Sequence, residues 1–316
     1  MRAAVGALLP FFVLLGVGLV LGRFARFRDA EPILTAFVFY VALPCFLFDT
    51  LAGTDPAGSG VPVGMLAVAV AVAALVATAL ALPLGRGRRR GAGSEVALAA
   101  GYANVGYLGI PVAVGLLGEG AGLAAGLAQL AHNVVFMVGY PVLAIARRGR
   151  GEGLGPALWE TTRRAILLNP VTISVAAGLL VAHLGIRPPH ALTASIDLLA
   201  GAAVPGALVA VGLTLGPSLR ALTSGGVRVL DVGAAVTTKL LLLPVATWGA
   251  LALLAPRLDA TWTGTLVLMA AMPTSTTAFV LAREYGGDGR TAAATIAAST
   301  LAAMLTIPLV AALLLP

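Results

Sequence analysis

Apolar residues fall in ten long runs, roughly 4–22, 33–53, 62–84, 95–117, 122–146, 166–184, 192–215, 227–254, 262–283 and 291–315, separated by short polar or glycine-rich stretches. Each run is close to the ~20 residues that carry an α-helix across a bilayer. Two of them are interrupted near the middle. The fourth reads Ala103-Asn104-Val105-Gly106-Tyr107-Leu108-Gly109-Ile110-Pro111, and the ninth reads Ala271-Met272-Pro273-Thr274-Ser275-Thr276-Thr277-Ala278. A broken helix at membrane depth frees backbone N–H and C=O groups, which survive only when buried in protein or lining a polar cavity. Paired breaks in matching positions of two halves point to a transporter site. The pattern therefore predicts a secondary transporter whose substrate site is made by the two breaks. Asn104, Val105, Gly106, Gly109, Ile110 and Pro111 would contribute from the fourth run, and Pro273, Thr274, Ser275, Thr276 and Thr277 from the ninth.

Composition sharpens the class. Of 316 residues, 59% are hydrophobic and 10% charged, against about 25% charged in soluble domains, so the chain reads as a polytopic, all-α membrane protein. The net charge of +7 does not imply nucleic acid, because the arginines gather in alternate loops. Arg23, Arg26 and Arg28 follow the first run. Arg86, Arg88, Arg89 and Arg90 follow the third, and Arg147, Arg148, Arg150, Arg163 and Arg164 the fifth. Arg220 and Arg228 follow the seventh, and Arg283 and Arg290 the ninth. By the positive-inside rule these loops are cytoplasmic, and both termini face outward from the inner membrane. The first run lacks a small-residue cleavage site and runs straight into Arg23, unlike a signal peptide. Cys45 is the lone cysteine, so no disulfide or cysteine-based metal site is expected.

Five runs precede the basic stretch 147–165 and five follow it. An odd number per half makes the second half enter from the opposite side, the arrangement of an inverted repeat. The expected organisation is a first five-helix repeat at 1–146, a cytoplasmic linker at 147–165 and a second, inverted repeat at 166–316. Weak echoes accompany it: Pro44 and Pro205 in the second and seventh runs, Pro83 and Pro244 in the third and eighth.

Several polar or small residues inside the runs have both a packing and a functional reading. Gly16, Gly18 and Gly22 superficially resemble a dinucleotide fingerprint, but with no strand ahead of them close helix packing is the better account. Gly118, Gly122 and Gly126 form a small-residue stripe of the same kind. Gln129, His132 and Asn133 lie within about one helical turn, where polar groups face a cavity or a partner helix. Asn133 is placed in the substrate path, while His132 and Gln129 are candidates for proton or ion coupling. Lys239 lies well inside the eighth run. A charge there costs at least ~2.5–3.5 kcal/mol unless compensated; its partner is either a bound anion or the freed carbonyls of a broken helix. Asn169-Pro170 reads as a helix start.

The segment Asn104-Val105-Gly106-Tyr107-Leu108-Gly109-Ile110-Pro111 resembles the N-x-G-x-x-G-I-P segment of the auxin efflux carrier family. Ala271-Met272-Pro273, Ala278-Phe279-Val280-Leu281-Ala282 and Tyr285-Gly286-Gly287-Asp288 are similar to that family's ninth-helix signature. Lys239 with Pro244, Asn169-Pro170 and the prolines of the second and seventh runs also fit, so the resemblance covers essentially the whole chain. It implies ten transmembrane helices in a 5+5 inverted repeat of the bile-acid/sodium symporter type, with broken helices 4 and 9 crossing at mid-membrane. Helices 1, 2, 6 and 7 would form a scaffold, with a homodimer through helices 2 and 7, and helices 3–5 with 8–10 would form the moving transport part. The resemblance also implies that Asn104 contacts a substrate carboxylate. The long cytoplasmic loop of plant members is short here, and the acidic ion ligands of sodium-coupled relatives have no obvious counterpart near the breaks.

The expected activity is movement of a small organic anion, auxin-like or dicarboxylate, by alternating access at the crossover, with lipids as surroundings and neither cofactor nor metal. The alternatives are a sodium- or proton-coupled symporter of another organic acid, a channel, or a ligand-sensing membrane protein. An intramembrane enzyme is disfavoured by the lack of H-E-x-x-H and G-x-S-x-G motifs.

Overall fold

In a computed structural model, the structure describes residues 2–53, 92–141, 159–160, 162–163, 167–223, 226–285, 287 and 289–314. The predicted third span, the basic cluster after it and most of the 147–165 linker lie outside the described residues. Twelve helical segments make up the rest: α1 (Arg2–Leu21), α2 (Ala25–Ala52), α3 (Ala92–Gly101), α4 (Val105–Leu117), α5 (Ala121–Gly139), α6 (Pro170–Leu184), α7 (His190–Ala200), α8 (Ala203–Thr223), α9 (Val229–Leu254), α10 (Ala260–Ala270), α11 (Thr276–Glu284) and α12 (Arg290–Leu314). There is no strand among the described residues beyond one isolated bridge. Among the described residues, five helices are long and apolar enough to cross a membrane: Ala25–Ala52, Ala121–Gly139, His190–Leu222, Val229–Leu254 and Arg290–Leu313. Shorter apolar helices fill the remaining described runs.

Proline explains the local irregularities. A helical proline lacks an N–H and clashes with the carbonyl four residues back. Here the chain responds by widening one turn. The π-turns Val38–Ala42, Val105–Gly109, Val134–Gly139 and Thr238–Leu242 stand just ahead of Pro44, Pro111, Pro141 and Pro244. The N–H groups of Leu43, Ile110 and Leu243 reach back five residues to the carbonyls of Val38, Val105 and Thr238. The expected kinks are therefore π-bulges, which keep the backbone bonded. Asn169 caps α6, its side chain accepting from the Val171 N–H with Pro170 at the first helical position. That is the structural role predicted for the pair.

Helix α2 begins well before its apolar run, in the polar segment around Pro32. Hydropathy marks the part of a helix that meets lipid and says nothing of a polar first turn, here tied by a Thr35 to Glu31 hydrogen bond of 2.8 Å. Packing then sorts the helices. The closest pairs are α1 with α8, α2 with α6, α8 with α12 and α2 with α7; α3, α4, α5, α9, α10 and α12 also pack among themselves.

The α1–α8 pair has no side chains at its centre. A Cβ on Gly18 would overlap the carbonyl oxygen of Val209, and one on Gly212 would overlap that of Leu15 and lie 2.8 Å from the Gly18 Cα. This is membrane packing through small residues, and it excludes the nucleotide-binding reading of Gly16-Val17-Gly18. Because the neighbours are backbone on both sides, neither helix can yield locally. Gly212→Leu is expected to cost about 3 kcal/mol, the upper end of overpacking penalties, read as a lower thermal unfolding midpoint in detergent. Gly16→Ala, on the facing helix α1 with open space around it, serves as the control. Equal midpoints for the two variants would contradict the close contact.

Candidate functional site

The two predicted breaks meet. Helix α3 ends at Gly101 and α10 at Ala270, and the extended segments beyond them pair as an antiparallel bridge between Ala103 and Thr274. The Asn104 N–H donates to the Pro273 carbonyl at 2.7 Å, and the Ser275 N–H donates to the Tyr102 carbonyl at 2.9 Å. Helices α4 and α11 then start from opposite ends of this bridge. The backbone groups freed by each break are therefore satisfied largely by the other break, which is how a membrane protein tolerates extended chain at depth.

Three side chains fasten the bridge to the surrounding helices. The Ala103 N–H donates to His132 Nε2 at 2.8 Å, from α5. The Thr274 N–H donates to Ser299 Oγ at 3.0 Å, from α12, and the Thr274 hydroxyl donates to the Ala99 carbonyl at 2.7 Å. The third is Lys239 from α9. Its Nζ donates to the Ala270 carbonyl at 3.1 Å and to the Gly101 carbonyl at 3.4 Å. One ammonium, 1% exposed, thus caps the C-terminal ends of both half-helices. Each such end carries roughly half a negative charge, so together they offset about one positive charge. Of the two sequence readings of Lys239, this geometry is that of carbonyl capping.

The N-terminal ends of α4 and α11 face a different place. A cavity of about 40 Å³ there is lined by Asn104, Gly106, Gln129, Asn133, Ser275 and Thr277, together with Phe39, Leu43, Tyr102, Ala103, Tyr107, Met137 and Val171. No acidic side chain is among them. The Gln129 amide donates to Asn133 Oδ1 at 3.1 Å, which also accepts from the Tyr102 hydroxyl at 3.5 Å. The other end of the Gln129 carboxamide, Oε1, is buried without a hydrogen-bond partner, beside Gly106. A buried polar atom left open in this way is unusual in native proteins, and here it belongs to a residue of the cavity wall. Asn104, a residue 4% exposed, lines the same cavity.

The remaining predicted residues separate by role. Ser275 caps α11, accepting from the Thr277 N–H at 3.2 Å. Thr276 and Thr277 line a much larger cavity of about 800 Å³, and Thr277 lines both. Gly109 packs against α10, where a Cβ would lie 2.6 Å from Met269 Sδ. Ile110 and Pro111 are buried in α4 and, like Thr274, Pro273 and Lys239, are not among the residues lining the small cavity. Val105 lines a separate pocket of about 30 Å³ beside Lys239 and His132. His132 is committed as an acceptor through Nε2, which leaves its ring proton on Nδ1.

The large cavity opens between α2, α8, α11 and α12, with Arg28, Glu31 and Arg290 at the end nearest the basic loops. At the opposite end the helices close on one another. A Cβ on Gly122 of α5 would overlap Thr50 Cγ2 of α2, and one on Gly126 would touch Val175 of α6 and Leu47 of α2. Gly122 and Gly126 of the predicted stripe form this closed seam, whereas Gly118 caps the C-terminal end of α4 with open space around it. Sequence reasoning did not assign Tyr102 or Phe39 to the site and named Tyr107 only as part of the fourth-run motif; Phe39 and Tyr107 line both cavities and Tyr102 the small one.

Comparison with known proteins agrees with this geometry. Residues 3–311 match the family described as "Membrane transport protein". The chain is 33% identical over 310 residues to a Rhizobium meliloti (strain 1021) protein named "Putative malonate transporter", over 97% of this chain and 94% of that protein. This multi-pass membrane protein therefore belongs to the membrane transport family of the auxin efflux carriers.

Proposed function

We propose that the protein is a secondary transporter that carries a small organic anion by alternating access, with the anionic head group bound at the crossover. The observation that carries this reading is the Ala103–Thr274 bridge. It brings Asn104, the orphaned end of Gln129 and two half-helix N-termini to one cavity without an acidic wall. Half-helix N-termini carry partial positive charge and favour an anion. The large cavity with Arg28 and Arg290 toward its mouth supplies the approach. Malonate is the first substrate to test, because the Rhizobium meliloti relative is named for it.

In this reading the chain has ten transmembrane helices in an inverted 5+5 repeat, 1–146 and 166–316 joined by the linker 147–165. The packing of α1 against α8 and of α2 against α6, α7 and α8 supports a scaffold, through which the protein would dimerise. The other helices would move against it, the α5 seam opening as the large cavity closes. The basic loops lie in the cytoplasm, the membrane is the inner one and the termini are outside, so the present conformation faces inward.

The charge balance predicts the coupling. Lys239 already matches the two C-terminal helix ends, so the crossover needs no metal cation. The two N-terminal ends, together about +1, are matched by one substrate charge. Malonate uptake into proteoliposomes is expected to persist when Na⁺ is replaced by choline, and to rise severalfold when the membrane potential draws anions in the direction measured. Strict Na⁺ dependence with no response to potential would overturn this coupling and favour a symporter.

A further inference from the structure

We propose that Phe39 and Tyr107 determine which acids the protein accepts, admitting carboxylates on slim aliphatic chains and excluding those with an aromatic ring next to the head group. This rests on the crossover being the substrate site. Phe39, Tyr107 and Thr277 are the residues common to the small crossover cavity and the large one, so they form the wall where the two adjoin. The Phe39 and Tyr107 ring centroids are 6.3 Å apart with planes inclined at 34°. That is within the 4.5–7 Å range of rings in contact, and it leaves no room for a third ring between them.

Beyond the pair, the crossover cavity measures about 40 Å³. That is room for roughly three waters at ~10–15 Å³ each, enough for one carboxylate. An apolar cavity that holds benzene is on the order of 150 Å³. A substrate with its carboxylate at Asn104 must therefore place its next carbons between Phe39, Tyr107 and Thr277, and only its distal end reaches the 800 Å³ space. A methylene chain must displace the ring pair, and an indole or phenyl ring one carbon from the carboxylate, wider in its plane than a methylene chain, must displace it further. The two rings belong to different packing groups, Phe39 to α2 and Tyr107 to α4, so the constriction exists only where those groups meet.

The test is competition of malonate, butyrate, phenylacetate and indole-3-acetate for radiolabelled malonate binding to the purified full-length protein. The wild type is expected to prefer the aliphatic acids at least about tenfold. Tyr107→Ala and Phe39→Leu should each narrow that preference by about tenfold toward the aryl acids. Tyr107→Phe should retain it, because the ring and not the hydroxyl is the obstacle. A wild type that binds phenylacetate as tightly as malonate, or truncations that leave the ratio unchanged, overturns the proposal. Asn104→Ala separates the two levels. If it leaves malonate binding intact, the site reading itself fails. If it abolishes binding while the ring variants change nothing, only the specificity assignment fails.

Discussion

Asn104→Ala should abolish most saturable malonate uptake and leave the fold intact. The residue contributes to the structure through its main chain: its N–H donates to Pro273, and its carbonyl accepts from Leu108 and Gly109. None of these bonds involves the carboxamide, and the residue lines the crossover cavity. Truncation therefore removes a group of the proposed site and breaks none of these main-chain bonds. A hydrogen bond to a charged partner is worth about 1.5–3 kcal/mol, so binding should weaken roughly 10- to 150-fold. Asn104→Asp should be worse, since it sets a carboxylate against the substrate's own charge. Radiolabelled uptake and a thermal unfolding curve on the same preparations check the prediction. An alanine variant that transports within about twofold of wild type would remove Asn104 from the site.

Lys239→Met should show the opposite profile, with a large loss of stability and loss of transport as its consequence. The ammonium is the shared cap of two broken helices, bonded to the Gly101 and Ala270 carbonyls. Methionine keeps the apolar stem and removes the cap. Two buried carbonyl ends lose their partner at about 1–3 kcal/mol each, and their combined partial charge of about −1 is left uncompensated. The unfolding midpoint is expected to fall on the order of 10 °C. Lys239→Arg should not rescue, because the adjoining pocket of about 30 Å³ has no room for a guanidinium. Were Lys239 a direct ligand of the anion, the methionine variant would lose binding at an unchanged midpoint. The two measurements together therefore separate carbonyl capping from anion binding.

Much of the fold was legible along the chain. Lipid imposes a length and an apolar composition on every spanning segment, so nine of the ten predicted runs coincide with described helices, and the third lies outside the described residues. Helix ends were less legible. Polar first turns, such as that of α2 around Pro32, continue a helix where hydropathy has stopped. The prolines were visible as irregularities, but their resolution as π-bulges depends on which carbonyl each neighbouring N–H can reach, a property of the folded turn. The roles within the site were the least legible. Four consecutive hydroxyls looked equivalent in sequence. Pairing of the two breaks turns Thr274 toward Ala99, makes Ser275 a helix cap and leaves Thr276 and Thr277 on the cavities.

The sequence by itself determined the membrane class, the two interrupted helices and the asymmetry of the basic loops. All of these follow from local rules: apolar length, helix-breaking residues and the cost of charge in lipid. The tertiary structure alone decided what each freed group bonds to. Lys239 and Gly101 are 138 residues apart, and Thr274 and Ala99 are 175 apart. No periodicity encodes such a pairing, because it is set by the crossing of two broken helices in three dimensions. The same crossing divides the polar residues into those that cap the protein's own backbone and those left open to a ligand. It also brings Phe39 against Tyr107, from different helices, where the two cavities adjoin.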